Sequence, residues 1–163
     1  MAATASKGAV NMSTDFLSAK ARIRIRKPPL EVFTAFADAN EMSKFWFTRR
    51  DQGLKEGASV TWFVGSGEQA SSFDVLVRKV REPNTIAIEW VGPDGNSTQV
   101  TWSFEEETNG DTILTIEESG FAGSDEAIVE RALDSTGGFN QVIIAAKALI
   151  EHNVILNVVA DHA

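Results

Sequence analysis

Residues 85–119 read TIAIEWVGPDGNSTQVTWSFEEETNGDTILTIEES, and this stretch decides the fold. Ile86, Ile88 and Trp90 alternate with smaller or polar residues, as do Val100, Trp102 and Phe104, and then Leu114 and Ile116. Alternation with a period of two is the mark of a strand with one buried face. Gly92-Pro93-Asp94-Gly95-Asn96 and Asn109-Gly110-Asp111 punctuate the runs, so adjacent strands join through short turns and pair antiparallel. The same pattern extends upstream. Val60, Trp62 and Val64 form one strand and Phe73, Val75 and Val77 another, the latter ending near Pro83-Asn84. Ahead of these, Lys20–Arg26 alternates Arg22, Arg24 and Arg26 with Ile23 and Ile25, a strand with one solvated basic face.

Two helical regions flank the strands. Pro28-Pro29 stops the first strand, and Leu30–Ala37 carries Val32, Phe33 and Phe36 on one stripe, a short helix begun by proline. A second short helix, capped by Asp38 or Asn40, carries Met42, Phe45 and Trp46. Downstream, Ser124-Asp125 starts a short helix to Leu133, which Ser135-Thr136-Gly137-Gly138 is expected to break. From Phe139, Val142, Ile143, Ala146, Leu149, Ile150 and Val154 recur at steps of three and four, an amphipathic helix of about 20 residues, or about 30 Å. The sheet and this helix each have one apolar face to bury, and a curved sheet wrapped around the helix satisfies both. The expectation is an α+β helix-grip fold of about six strands. Residues 1–17 form a loose lead-in and 18–160 a single domain, in keeping with a chain of 163 residues.

Composition removes several chemistries. There is no Cys and no Tyr, and the two His, His152 and His162, both fall in the last twelve residues. A disulfide scaffold, a thiolate metal site and a cysteine nucleophile are excluded, and a metal centre or cofactor is not expected. The net charge of −8 argues against nucleic-acid binding. It is uneven, with nine basic against four acidic residues in 1–50 and six against nineteen beyond. No apolar run reaches the roughly 18 residues of a membrane span, and no secretory signal opens the chain, so a cytoplasmic protein is expected.

The parity of the strands places Trp62, Trp90 and Trp102 on the inward face with Phe73. Large rings opposite a helix stripe that includes Ala146 are difficult to interdigitate, which leaves either a solid aromatic core or an apolar cavity. The candidate ligand-binding residues are Trp46, Trp62, Phe73, Trp90, Trp102, Phe121, Phe139 and Ile143. Glu118 continues the Leu114/Ile116 parity and should point inward near the sheet end, whereas Glu117 points out. A carboxylate at an apolar mouth is a candidate acid or base, and pairing with Arg78 or Arg131 is the structural alternative. Other motifs read as ordinary surface. Gly65-Ser66-Gly67-Glu68-Gln69-Ala70 resembles a dinucleotide loop but precedes a strand, so it is a hairpin loop. Glu105-Glu106-Glu107 is a solvated edge, His152 lies off the apolar stripe, and His162 lies in a frayed tail. Phe63 and Ile113 on the outer sheet face leave a homodimer open.

These residues carry a resemblance. KARIRIRKPPLEVFTAFADANEMSKFWF, EGASVTW, VRKVREPNTIAIEW, STQVTWSFEEETNGDTILTIEESGF and GGFNQVIIAAKALIE together resemble the START-like, or SRPBCC, superfamily. Within it the chain is similar to the branch named for the activator of the 90-kDa heat-shock-protein ATPase, over about residues 18–155. Gly57-Ala58, Phe45-Trp46 and Gly138-Phe139 depart from the family's usual Gly-Gly, Trp-Trp and Gly-Trp at those points. The resemblance implies a helix-grip fold. In function three alternatives stand, the first resting on the ring-rich inward face and the other two on the resemblance. These are non-catalytic binding of a hydrophobic small molecule with a stress association, a chaperone partner as an activator-like co-chaperone, and a cyclase- or hydrolase-type enzyme using Glu118.

Overall fold

The computed structural model describes residues 13–47, 49–65 and 67–163. In chain order the elements are β1 (Ala19–Ile25), α1 (Pro29–Ala37), α2 (Ala39–Met42), β2 (Arg49–Arg50), β3 (Ser59–Val64), β4 (Ser71–Arg81), β5 (Thr85–Val91), β6 (Ser97–Glu106), β7 (Thr112–Ser119) and α3 (Asp125–His152). The strands form one antiparallel sheet in the order β1-β7-β6-β5-β4-β3-β2. β3 through β7 are a meander, and the first strand returns to close the far edge beside the last. Six long strands match the expectation; β2 adds two residues at the opposite edge, too few to leave an alternation in the sequence.

Register carries the inward face across the sheet. Trp62 stands opposite Phe73, Val75 opposite Trp90, Ile86 opposite Trp102, and Trp102 opposite Ile116. A bulge between Val77 and Lys79 shifts the pairing by one residue, so Val77 faces Ile88 and Val80 faces Ile86, both still inward. α1 lays Val32, Phe33 and Phe36 against the core. Asp38, not Asn40, caps α2, its carboxylate accepting from the Glu41 N–H at 2.9 Å. Phe45 and Trp46 follow in a turn after α2 and are buried.

Two expectations need correction. The helix does not break at Ser135–Gly138: α3 runs unbroken for 28 residues. Two interior glycines cost about 1 kcal/mol each relative to alanine. Ile128 and Ala132 on one side of them, and Phe139, Val142 and Ile143 on the other, are buried on one continuous stripe, and that burial outweighs the local cost. Thr136 and Asn140 add backbone bonds across the stretch, to the carbonyls of Ala132 and Thr136. The other correction is at the C-terminus. Asn153 takes the left-handed conformation at φ 53° and ends the helix, its N–H donating to Leu149 O at 2.8 Å. Val154 is therefore exposed, while Leu156, Val158 and Val159 turn back onto the core. His162 beyond them is exposed and stands 3.4 Å from Gln141 on α3.

Of the lead-in, residues 1–12 lie outside the described part. Residues 13–17 form a turn in which Thr14 Oγ1 donates to Asp125 at 2.6 Å. The basic stripe of β1 is exposed as expected, and Lys20 and Arg24 face Glu117 and Glu107 across the surface. Glu105 and Glu106 are solvated, and His152 is exposed beside Glu151. Gly67–Gln69 is a single 3-10 turn between β3 and β4; Ser66 of that loop lies outside the described residues. None of the described helices is long and apolar enough to cross a membrane.

Candidate functional site

Helix α3 lies closest to β1, where Lys147 donates to Arg24 O at 2.7 Å and Glu151 accepts from the Arg26 N–H at 2.6 Å. Toward β3–β5 the space between helix and sheet is filled by rings. Trp46 stands edge-on to Trp62 at 5.4 Å, to Trp102 at 5.8 Å and to Trp90 at 6.3 Å between centroids. Edge-to-face packing of this kind suits the ring quadrupoles. Trp62 and Trp102 are fully buried beneath it, and Ile143 and Phe121 are buried elsewhere in the core. These four expected ligand-binding residues therefore stand behind the available surface, Trp62 and Trp102 under neighbouring rings and Phe121 under the Arg131 guanidinium.

The surface left over is a cleft of about 700 Å³ between the β5–β6 turn and the first half of α3. Its apolar wall is Phe47, Phe73 and Trp90, each half-buried and in mutual ring contact at 5.4 to 6.4 Å. An adjoining recess of about 400 Å³ shares Phe47 and Trp90 and is bounded by Trp46, Phe139, Val158 and Val159. Trp90 divides the two, stacked on Phe139 at 6.4 Å and 12°. Of the expected residues, then, Phe73 and Trp90 line the cleft, and Trp46 and Phe139 line the recess. Phe47 was not anticipated; it follows Phe45-Trp46 directly, and its ring reaches the sheet's open side because the chain leaves α2 there for β2.

The polar end of the cleft is built around Glu118, which points inward as its parity requires and is 1% exposed. Its Oε1 accepts from Thr98 Oγ1 at 2.7 Å and from Trp90 Nε1 at 3.3 Å, and Trp90 Nε1 also donates to Thr98 at 3.0 Å. Of the two arginines named as alternatives, Arg131 approaches it, Nη2 standing 3.6 Å from Oε1; Arg78 instead binds Glu89 on the outer face. Oε2 of Glu118 has no hydrogen-bond partner among the described residues.

Arg131 also crosses to the β5–β6 turn, where Nη1 donates to both oxygens of Asp94 at 2.9 and 3.0 Å, and its guanidinium lies 5.2 Å from the Phe121 ring. Gly92 makes room for it. A Cβ at position 92 would stand 2.2 Å from Nη2. The Asn96 N–H closes the turn onto Asp94, and that bond, with the Asn96 side chain and Arg131, holds the Asp94 carboxyl below its ordinary range. Arg131 sits between the buried positions Ile128 and Ala132, a cation at the margin of an apolar helix stripe; that placement was the available sequence signal for it. The residues that line the cleft thus offer an aromatic wall and a fixed, partly unpaired carboxylate. Among the described residues no cluster of His, Asp or Glu is arranged to hold a metal ion.

The sequence matches the family of activator of Hsp90 ATPase homolog 1-like proteins over residues 26–149, and the chain belongs to that family. Three solved structures show the same fold. A Staphylococcus saprophyticus protein, SSP2350, is 24% identical with a TM-score of 0.71, over 86% of this chain and 96% of its own. The Aha1 of Colwellia psychrerythraea, solved as a dimer in solution, is 15% identical with a TM-score of 0.67, over 83% and 96%. CalU16 of Micromonospora echinospora is 18% identical with a TM-score of 0.67, over 84% and 76%. No curated protein matches the sequence.

Proposed function

We propose that this member of the family binds an apolar small molecule in the cleft between the sheet and α3, without catalysing its conversion. The observation that carries this reading is the half-buried wall of Phe47, Phe73 and Trp90 facing an open volume of about 700 Å³. Packing has covered the other inward rings, yet these three retain apolar surface beside a small number of oriented polar groups, the usual composition of a small-molecule site. Thermal-shift and NMR titration against a panel of lipids and polycyclic aromatics tests it. A binder should perturb the amides of β4, β5 and residues 130–135. Silence across the panel would sink the reading.

A second reading, activator-like action on the 90-kDa heat-shock protein, is favoured by the family match over residues 26–149. It predicts that the purified protein raises the chaperone's ATPase rate. No stimulation at saturating protein removes it.

A further inference from the structure

The cleft's charges are unequal, and this bears on what it accepts. Among the described residues four carboxylates line it, Asp94, Glu118, Glu130 and Asp134, against one cation, Arg131. Both oxygens of Asp94 are taken by Arg131, which leans on Glu118 only through Oε1. That leaves Glu118 Oε2, buried and unmatched, at the inner wall, with Glu130 and Asp134 exposed one helical turn apart at the rim. A buried carboxylate oxygen without a donor is costly, and a ligand that supplies one recovers that cost.

We infer that the cleft takes an amphipathic organic cation, an aromatic or alkyl amine, with its ammonium group on Glu118 Oε2 and its apolar body against Phe47, Phe73 and Trp90. This rests on the reading that the cleft binds an apolar molecule, and it names the class. The aromatic wall suits a cation through its ring faces as well as through its apolar area. An anionic ligand meets the opposite situation. The arginine that would receive it is already bound by Asp94, and three further carboxylates repel it. Oε2 is buried in this structure, so the ammonium reaches it as the side chains packed around it give way. At 3.6 Å Arg131 makes no hydrogen bond to Glu118, so its bonds to Asp94 can stay in place while a second cation pairs with the carboxylate.

Three probes of one shape decide the matter, titrated into the full chain at pH 7 and followed by NMR: 2-naphthylmethylamine, 2-naphthylmethanol and 2-naphthoate. The amine should bind at least about tenfold more tightly than the carboxylate, with the alcohol between them. Glu118→Gln should cost the amine about tenfold and leave the alcohol within about twofold. The double variant E130Q/D134N alters only exposed residues, so it stays informative if Glu118→Gln fails to fold. It should weaken the amine by a few-fold, and this loss should shrink as salt is raised. Carboxylate binding as tight as the amine, or an amine preference untouched by E130Q/D134N at low salt, overturns the inference. If the alcohol binds and charge has no effect, only the inference falls. If none of the three binds, the proposed function falls with it.

Discussion

Arg131 on α3 and Asp94 in the β5–β6 turn are joined by two hydrogen bonds from one guanidinium nitrogen, at 2.9 and 3.0 Å, across the mouth of the cleft. The same guanidinium is the only cation within ion-pair distance of Glu118 among the described residues. Arg131→Ala should therefore destabilise the fold by about 2–3 kcal/mol, mostly by leaving the Glu118 carboxylate buried without a counter-charge. Urea denaturation measures it. The double variant R131A/E118Q should recover part of the loss, since the stranded charge is then absent.

Arg50 should behave in the opposite way. It is 6% exposed, its Nε and Nη1 have no partner among the described residues, and burial pulls its guanidinium down to about 10 despite Asp38 nearby. Its hydrogen bond to Ala37 O at 3.0 Å duplicates the bond that Leu54 N–H makes to the same oxygen. Arg50→Met gives up the guanidinium that lies 5.5 Å over the Trp62 ring but strands no acceptor at Ala37 O. The expected result is neutral to stabilising by about 1–2 kcal/mol in chemical denaturation.

Stability should fall in mild acid through Glu151. Burial alone would push its carboxyl up, but the hydrogen bonds from Lys147 and the Arg26 N–H, with the charges of Lys147 and His152, more than offset that and hold it below the ordinary 4.5. A carboxyl lowered in the folded state contributes stability above its unfolded value, and that contribution is lost as pH falls through the folded value. Asp94 and Glu89, also lowered, act with the same sign. The melting temperature should decline below about pH 4.5. Glu151→Gln should melt earlier at pH 7 and show a shallower decline.

Gly137→Ala should stabilise the protein by about 0.5–1 kcal/mol, the helix-propensity difference. A Cβ there meets nothing within 4 Å, and the residue is exposed. Guanidinium denaturation with an unchanged slope would confirm that the gain is local.

The strands were legible because each of the six long ones buries one face, and a buried face imposes a period of two from Ile23 to Ile116. Glu118 was legible for the same reason: two residues beyond Ile116 on β7, it must share that residue's side of the sheet. β2 was not legible, since two residues cannot express a period. The break expected at Gly137-Gly138 weighed a local preference and missed the tertiary burial on either side of it, which only the assembled sheet provides. The cleft was half legible. Parity names the rings that point inward, but which of them remain uncovered depends on contacts between segments distant in the chain, such as Trp46 over Trp62 and Trp102. Nothing local to Arg131 says that it will span from helix to turn and meet Asp94.

The unbroken α3 carries two tasks on one rod. Its first half, through Glu130, Arg131 and Asp134, lines the cleft, and its second half, from Phe139 onward, is clamped to β1 and the core. Gly137-Gly138 lies between them, with Thr136 and Asn140 bonded to the helix backbone on either side. Because the helix is continuous, the seating of its second half on the core also fixes where Glu130, Arg131 and Asp134 stand over the cleft.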